Sequence, residues 1–236
     1  MEDKNIDIDL VAKEQEELKI QPVHYVNTPF EKATFGMGCY WAAEALFGAT
    51  SGVLRTRVGY SGGSQEFSYS DIGDHTEAVE IEFDPSIISY EELLHIFWNN
   101  HEYDYTVKTK RKYMSMVLYH SEEQKEIAEH SKIVEQTKRS PETIRTEISQ
   151  ATIFHPSEDH QQKYRLQQHK DFMLTLGMNS ELLQKSYVAA KLNGYLVGSG
   201  TVKQFENEIH SLGLTPSQAD YVKFFFSKFE GVGLSC

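Results

Sequence analysis

The sequence predicts an α+β fold: a mixed sheet covered by helices around a ferredoxin-like kernel, followed by a helical C-terminal extension. Two observations carry this. Between Ala33 and Ile148, short apolar or alternating runs bounded by Gly, Pro and Ser trade places with helical patterns in the order βαββαβαβ. Helices interleaved with strands in that order suit a layered domain in which helices cover a sheet. Beyond Tyr164 the sequence turns polar and helix-forming around Gly-containing links. Residues 1–29 are polar and end at the Thr28-Pro29 break, so three parts are expected: an N-terminal arm (1–29), a catalytic domain (30–165), and a helical extension with a flexible tail ending in Cys236 (166–236).

The elements follow in order. Ala33 to Gly36 reads as a short buried strand and Tyr40 to Phe47 as a helix, which leaves Cys39 between them. Val53 to Tyr60 reads as a strand ending in the turn Ser61-Gly62-Gly63. Thr76 to Phe83 alternates acids with Val79, Ile81 and Phe83 before Asp84-Pro85. Ser89 and Glu92 have capping-box spacing ahead of Leu93, Leu94, Ile96, Phe97 and Trp98, which predicts the second helix. Met114 to Tyr119 is a strand, Ser121 to Lys138 a long amphipathic helix and Ile144 to Ile148 a further strand. In the extension, helices are expected over 180–191, 202–212 and 216–229.

A formal net charge of −12 disfavours nucleic acid and anionic membrane surfaces, which attract proteins through Lys and Arg. No apolar run approaches the ~18 residues of a membrane span. The first twenty residues are acidic and lack the apolar stretch of a secretory signal, so a cytoplasmic or nuclear address is expected. With only Cys39 and Cys236 the chain is no disulfide scaffold and forms no four-thiolate zinc site. His155, Asp159 and His160 make a weak metal signal, and no metal or bound cofactor is expected.

Cys39 opens a helix, where unpaired N–H groups and the helix dipole favour a thiolate over a thiol of ordinary pKa near ~8.5. Tyr40 and Trp41 beside it suit an apolar pocket for a methyl group next to sulfur. The same residues fit a buried, inert cysteine, a cysteine hydrolase pairing Cys39 with His75 or His160, or a non-catalytic binding scaffold.

The wider context separates these. The segment Thr34-Phe35-Gly36-Met37-Gly38-Cys39-Tyr40-Trp41 resembles the Gly-Cys-Phe-Trp signature of A-type peptide methionine sulfoxide reductases. The resemblance continues in order through Gly59-Tyr60-Ser61-Gly62-Gly63, Tyr69, His75-Thr76-Glu77-Ala78-Val79, Phe97-Trp98-Asn99-Asn100-His101, Tyr119-His120-Ser121 and Glu158-Asp159-His160-Gln161, spanning roughly residues 33–164.

This resemblance implies attack of the Cys39 thiolate on a sulfoxide sulfur with Glu77 as the acid. It further implies Tyr69 and Tyr113 as hydrogen-bond donors to the sulfoxide oxygen, and Tyr40 and Trp41 as the methyl pocket. It also implies the S epimer, protein-bound or free methionine sulfoxide as substrate, a Cys39 sulfenic acid and thioredoxin as external thiol reductant. Three departures stand out. The segment 102–112 replaces one that brings an aspartate, with Asp104 and Lys108 the nearest positions; Met114 stands for an arginine; and Leu196 follows Gly194-Tyr195 where a recycling cysteine often lies. Cys236 in Gly231-Val232-Gly233-Leu234-Ser235-Cys236 resembles the second cysteine of the family's Gly-rich tail, and the resemblance implies that it is the recycling thiol that remains.

Overall fold

Period-two apolar rows in the middle of the chain meet on one face of a six-stranded sheet. The computed structural model describes residues 20–101 and 110–232. Strands β1 (Glu31–Met37), β2 (Val53–Ser61), β3 (Thr76–Phe83), β4 (Ser115–Tyr119), β5 (Glu147–Gln150) and β6 (His155–Pro156) lie in the order β5-β4-β1-β3-β2-β6. The inner four are mutually antiparallel. Helix α1 (Tyr40–Ala49) follows β1 and α2 (Tyr90–Asn99) follows β3, which is the ferredoxin-like kernel expected. After α3 (Glu122–Arg139), β5 joins β4 in parallel, and β6 closes the other edge antiparallel to β2, so the sheet is mixed.

Parity along the strands sorts the side chains. Ala33 and Phe35 of β1 and Val79, Ile81 and Phe83 of β3 pack with Phe47, Leu93 and Phe97 of the helices. Each fully buried Phe or Leu of this kind contributes roughly 1.5–3 kcal/mol. The opposite row is a ladder of charge: Lys32 and Arg57 flank Glu80 at 3.2 and 2.7 Å, and Arg55 pairs with Glu82. The capping box at Ser89 forms as its spacing predicts, Ser89 accepting from the Glu92 N–H while the Glu92 carboxylate accepts from the Ser89 N–H.

Two segments differ from expectation for local reasons. The last strand begins at Glu147 rather than Ile144, because the Gln136 side chain takes the backbone groups on either side: its amide donates to the Glu142 carbonyl and its oxygen accepts from the Ile144 N–H at 2.9 Å. The helix expected over 180–191 is broken into α6 (Leu182–Lys185) and α7 (Tyr187–Tyr195) at Ser186. Residues of the N-terminal arm cause the break: the carbonyls of His24 and Val23 accept from the Tyr187 and Val188 N–H groups, and His24 Nδ1 lies 2.8 Å from Ser186 Oγ. The arm's described part is therefore docked. Short helices α4 (Tyr164–Gln167) and α5 (Lys170–Thr175) were not anticipated, whereas α8 (Val202–Leu212) and α9 (Pro216–Phe229) fall where expected.

The extension packs hard against α1. A Cβ on Gly48 would stand 2.2 Å from the Ala190 carbonyl oxygen, and one on Gly194 would stand 2.2 Å from that of Ala45, so only glycine permits this approach. Ala49 thereby joins a second apolar core with Val188, Leu192, Tyr195, Phe205 and Phe226. Among the described residues no helix is long and apolar enough to cross a membrane.

Candidate active site

Gly38, at φ 83°, turns the chain out of β1 in a conformation that glycine adopts without steric cost. Cys39 follows as the N-cap of α1, with extended backbone angles and a side chain that does not cap the helix. Cys39 is disulfide-bonded in the structure. Cys236, expected as the recycling thiol, lies outside the described residues, as do Asp104 and Lys108.

Glu77 stands in the same period-two row as Val79, Ile81 and Phe83, and so points to the helix side of the sheet, opposite to Glu80 and Glu82. There its carboxylate accepts from the Tyr40 N–H, the first of α1, at 3.1 Å through Oε2. Its Oε1 pairs with Lys112 Nζ at 3.1 Å. The Glu77 side chain is 5% exposed and that of Lys112 36%. Burial pushes the Glu77 carboxyl above the usual carboxylate range, against the opposing pull of the Tyr40 N–H and Lys112. Burial works against the Lys112 ammonium too, but its bond to Glu77 outweighs that and holds its pKa above the ordinary lysine value.

Aromatic rings wall the same region. The Tyr40 ring is buried, with its hydroxyl 3.0 Å from Ser157 Oγ and 3.4 Å from the Tyr60 hydroxyl, which accommodates the oxygen that distinguishes it from phenylalanine. Burial raises the Tyr40 phenol, so it stays protonated. Trp41 stacks on Tyr164 at 3.9 Å and donates from its indole to Gln161 Oε1 at 3.1 Å. From Tyr60 the wall continues through Phe67 to Tyr69, whose ring is largely exposed and whose hydroxyl donates to the Pro156 carbonyl at 2.9 Å. Tyr113 ends a single 3-10 turn, Arg111–Tyr113, directly after Lys112.

That turn is fastened from several sides. Thr76 Oγ1 donates to the Arg111 carbonyl at 2.8 Å, and the Arg111 guanidinium donates to the carbonyls of Asp74 and Gly62 and to both oxygens of Glu147. Arg111 also lies 2.9 Å from the sulfur of Met114, so a guanidinium reaches the neighbourhood of the missing arginine from three residues earlier. Leu196 and Tyr195 are fully buried in the second core, which leaves that motif position a packing role.

The histidines are engaged elsewhere. His75 Nδ1 lies 2.9 Å from the Ile72 carbonyl and its ring packs edge-on to Phe67 and His155, while His160 is at the surface beside Glu158 and Gln161. Among the described residues no three His, Cys, Asp or Glu side chains gather as a metal site would need. The structure thus brings Cys39, Tyr40, Glu77, Lys112 and Tyr113 to one end of α1, with Trp41 and Tyr69 on flanking walls. Lys112 was not anticipated. The parity of β3 was available in the sequence and puts Glu77 on the helix side of the sheet, apart from Glu80, which is equally buried on the opposite face.

Residues 31–191 match the family model for peptide methionine sulfoxide reductase. The chain belongs to the A-type peptide methionine sulfoxide reductases. Residues 177–226 of the reductase match a second model, the helical domain of selenoprotein methionine sulfoxide reductase A. A peptide methionine sulfoxide reductase of Drosophila melanogaster is 54% identical over 231 residues, covering 98% of this chain and 94% of the relative. The Methanococcoides burtonii enzyme named MsrA is 42% identical over 148 residues, covering 57% of this chain and 94% of the relative. A structure of methionine sulfoxide reductase A of Corynebacterium diphtheriae superposes with TM-score 0.50 at 28% identity, covering 62% of this reductase and 82% of that chain.

Proposed function

We propose that the enzyme reduces the S epimer of methionine sulfoxide, in proteins and as the free amino acid, through Cys39. The Cys39 thiolate attacks the sulfoxide sulfur while Glu77 supplies a proton to the oxygen. In the adduct the protonated oxygen passes from the methionine sulfur to the Cys39 sulfur; the new sulfur–sulfur bond and the original sulfur–oxygen bond both break, so methionine leaves as the thioether and Cys39 is left as a sulfenic acid. The thiol of Cys236 then displaces that oxygen as water, giving a Cys39–Cys236 disulfide, and thioredoxin returns both thiols. Tyr113 donates to the sulfoxide oxygen, Tyr69 does so once its hydroxyl gives up the Pro156 carbonyl, and Tyr40 and Trp41 grip the methyl group. In this reading residues 30–165 are the catalytic unit, 166–236 carry the recycling thiol, and the enzyme works in the cytoplasm or nucleus.

The observation that carries the reading is the buried Glu77 carboxyl hydrogen-bonded to the first N–H of the helix that Cys39 caps. A raised proton affinity next to the backbone of Tyr40 supports the role of Glu77 as proton donor. Recycling through Cys236 is supported by the cysteine count and by a groove of about 390 Å³ lined by Met37, Ala42, Ala43 and Leu46 near Cys39 and by Gly231 near the tail. The five residues that follow Gly231 span at most about 18 Å when extended.

The test is intact mass and peptide mapping after one turnover without reductant. Wild type should release one methionine and hold a Cys39–Cys236 disulfide. Cys236→Ser should release one methionine and hold a sulfenic acid, and Cys39→Ser should release none. Substantial turnover by Cys39→Ser would remove the assignment; wild-type cycling of Cys236→Ser with thioredoxin would remove the tail from the mechanism.

A further inference from the structure

We propose that Lys112 is a positioning residue of the reductive step, whose ammonium fixes one oxygen of Glu77 and governs whether that carboxyl holds its proton. The inference rests on the reading of Glu77 as the acid. It begins from how the two carboxyl oxygens are divided. Oε2 is held by a peptide N–H of α1, which cannot move without unwinding the helix, whereas Oε1 is held by a lysine one third exposed on a flexible stem. Oε1 is thus the oxygen free to exchange its partner for a substrate, and Lys112 is the group that must give way or share.

Lys112 is not a surface lysine that happens to reach an acid. The 3-10 turn presenting it is pinned to β3 by Thr76, to the preceding loop by the Asp74 and Gly62 carbonyls, and to β5 by Glu147, all through Arg111. The other cation of that turn is thereby committed to Glu147. Around Glu77 the titratable groups are Tyr60, its cross-strand neighbour on β2, Tyr40 at the start of α1, and Lys112 with Tyr113 from the turn, with Cys39 joining them when its disulfide is reduced. Lys112 is the cation that contacts Glu77 among the described residues. Burial and the ammonium act on the carboxyl in opposite directions, so the turn's geometry decides how far burial prevails.

The experiment compares Lys112→Met, which keeps the length and removes charge and donor, with Lys112→Arg. Two readouts are taken: the titration midpoint of the carbon-13-labelled Glu77 carboxyl by NMR in a Cys39→Ser background, and the pH profile of single-turnover reduction with Cys39 intact. In Lys112→Met the Glu77 midpoint should move to higher pH, and on the alkaline limb the rate relative to its plateau should rise about 3- to 10-fold. Lys112→Arg should restore both, and Lys112→Met placed on Glu77→Gln should leave the profile where Glu77→Gln alone puts it. A Glu77 midpoint unmoved by Lys112→Met overturns the proposal. A midpoint that moves while the rate profile stays fixed overturns Glu77 as the acid, and the role of Lys112 in the reaction with it.

Discussion

Two glutamates meet two lysines along α1, and the molecule treats the pairs differently. Glu77 receives the helix's first N–H and a lysine that is one third exposed. Glu44, one turn further on, pairs with Lys163 at 2.6 Å with both side chains fully buried. The second pair is closed: Lys163 Nζ also donates to the Thr56 carbonyl and its backbone N–H to Glu44 Oε2, and Lys163 adopts a left-handed φ of 47°, which is uncommon for a non-glycine residue. Burial lowers the Lys163 ammonium while Glu44 pulls it back up. A pair with no route to water fixes the loop after β6 onto α1. One with its lysine at the surface can exchange protons. The same pairing of carboxylate and ammonium is thus closed to water in one place and open to it in the other, and exposure of a single partner makes the difference.

The comparison is broken most sharply at Glu77. Glu77→Gln keeps the shape and loses the proton, and its single-turnover rate should fall by about two to four orders of magnitude. Rapid-quench measurement of methionine release checks this, and an equal loss in folded Glu44→Gln would erase the contrast.

The largest stability effect belongs to the closed pair. Lys163→Met strands a buried carboxylate and should cost about 3–5 kcal/mol. Urea midpoints would show it, and Glu44→Leu combined with Lys163→Met should recover much of the loss because neither charge is then left alone.

A third effect has a sign that depends on pH. Glu77 binds its proton more tightly folded than unfolded, so its contribution is present below the ordinary carboxyl range and is lost as pH rises through its raised folded value. The Glu77→Gln protein should therefore match wild type in Tm below about pH 4 and gain on it toward neutrality. Calorimetry at a series of pH values tests this; a gap that is constant with pH would mean that Glu77 is not penalised by burial. The smallest effect is expected at Arg55 and Glu82 on the charged face of the sheet, where Arg55→Met should cost about 1 kcal/mol or less.

Much of this was legible in the sequence. Period-two alternation gave β3 its observed bounds, and a Ser89–Glu92 spacing predicted a cap that forms. The Cys39 strand–helix junction is where the spacing put it. The two lysines were not legible, because each partner lies 35 or more positions away and an isolated lysine reads as a surface residue. The break at Ser186 was legible only in part: its hydroxyl is a local N-cap that accepts from the Ala189 N–H, whereas the carbonyls that take the Tyr187 and Val188 N–H groups come from residues 24 and 23 and leave no trace in the local pattern. The two-residue strand β6 and the short helices α4 and α5 carry too few residues for periodicity to register.

The glycine contact between α1 and α7 bears on how the molecule comes apart. Ala43 and Phe47 of α1 belong to the sheet's core, and Ala49 to the core of the extension. A single ten-residue helix is therefore a party wall, and neither side can melt while the other stands without baring it. Amide protons in α1 should exchange only as fast as the whole molecule opens. A chain stopped near residue 178 would lose the packing on one side of α1, so the C-terminal helices brace the helix that presents Cys39.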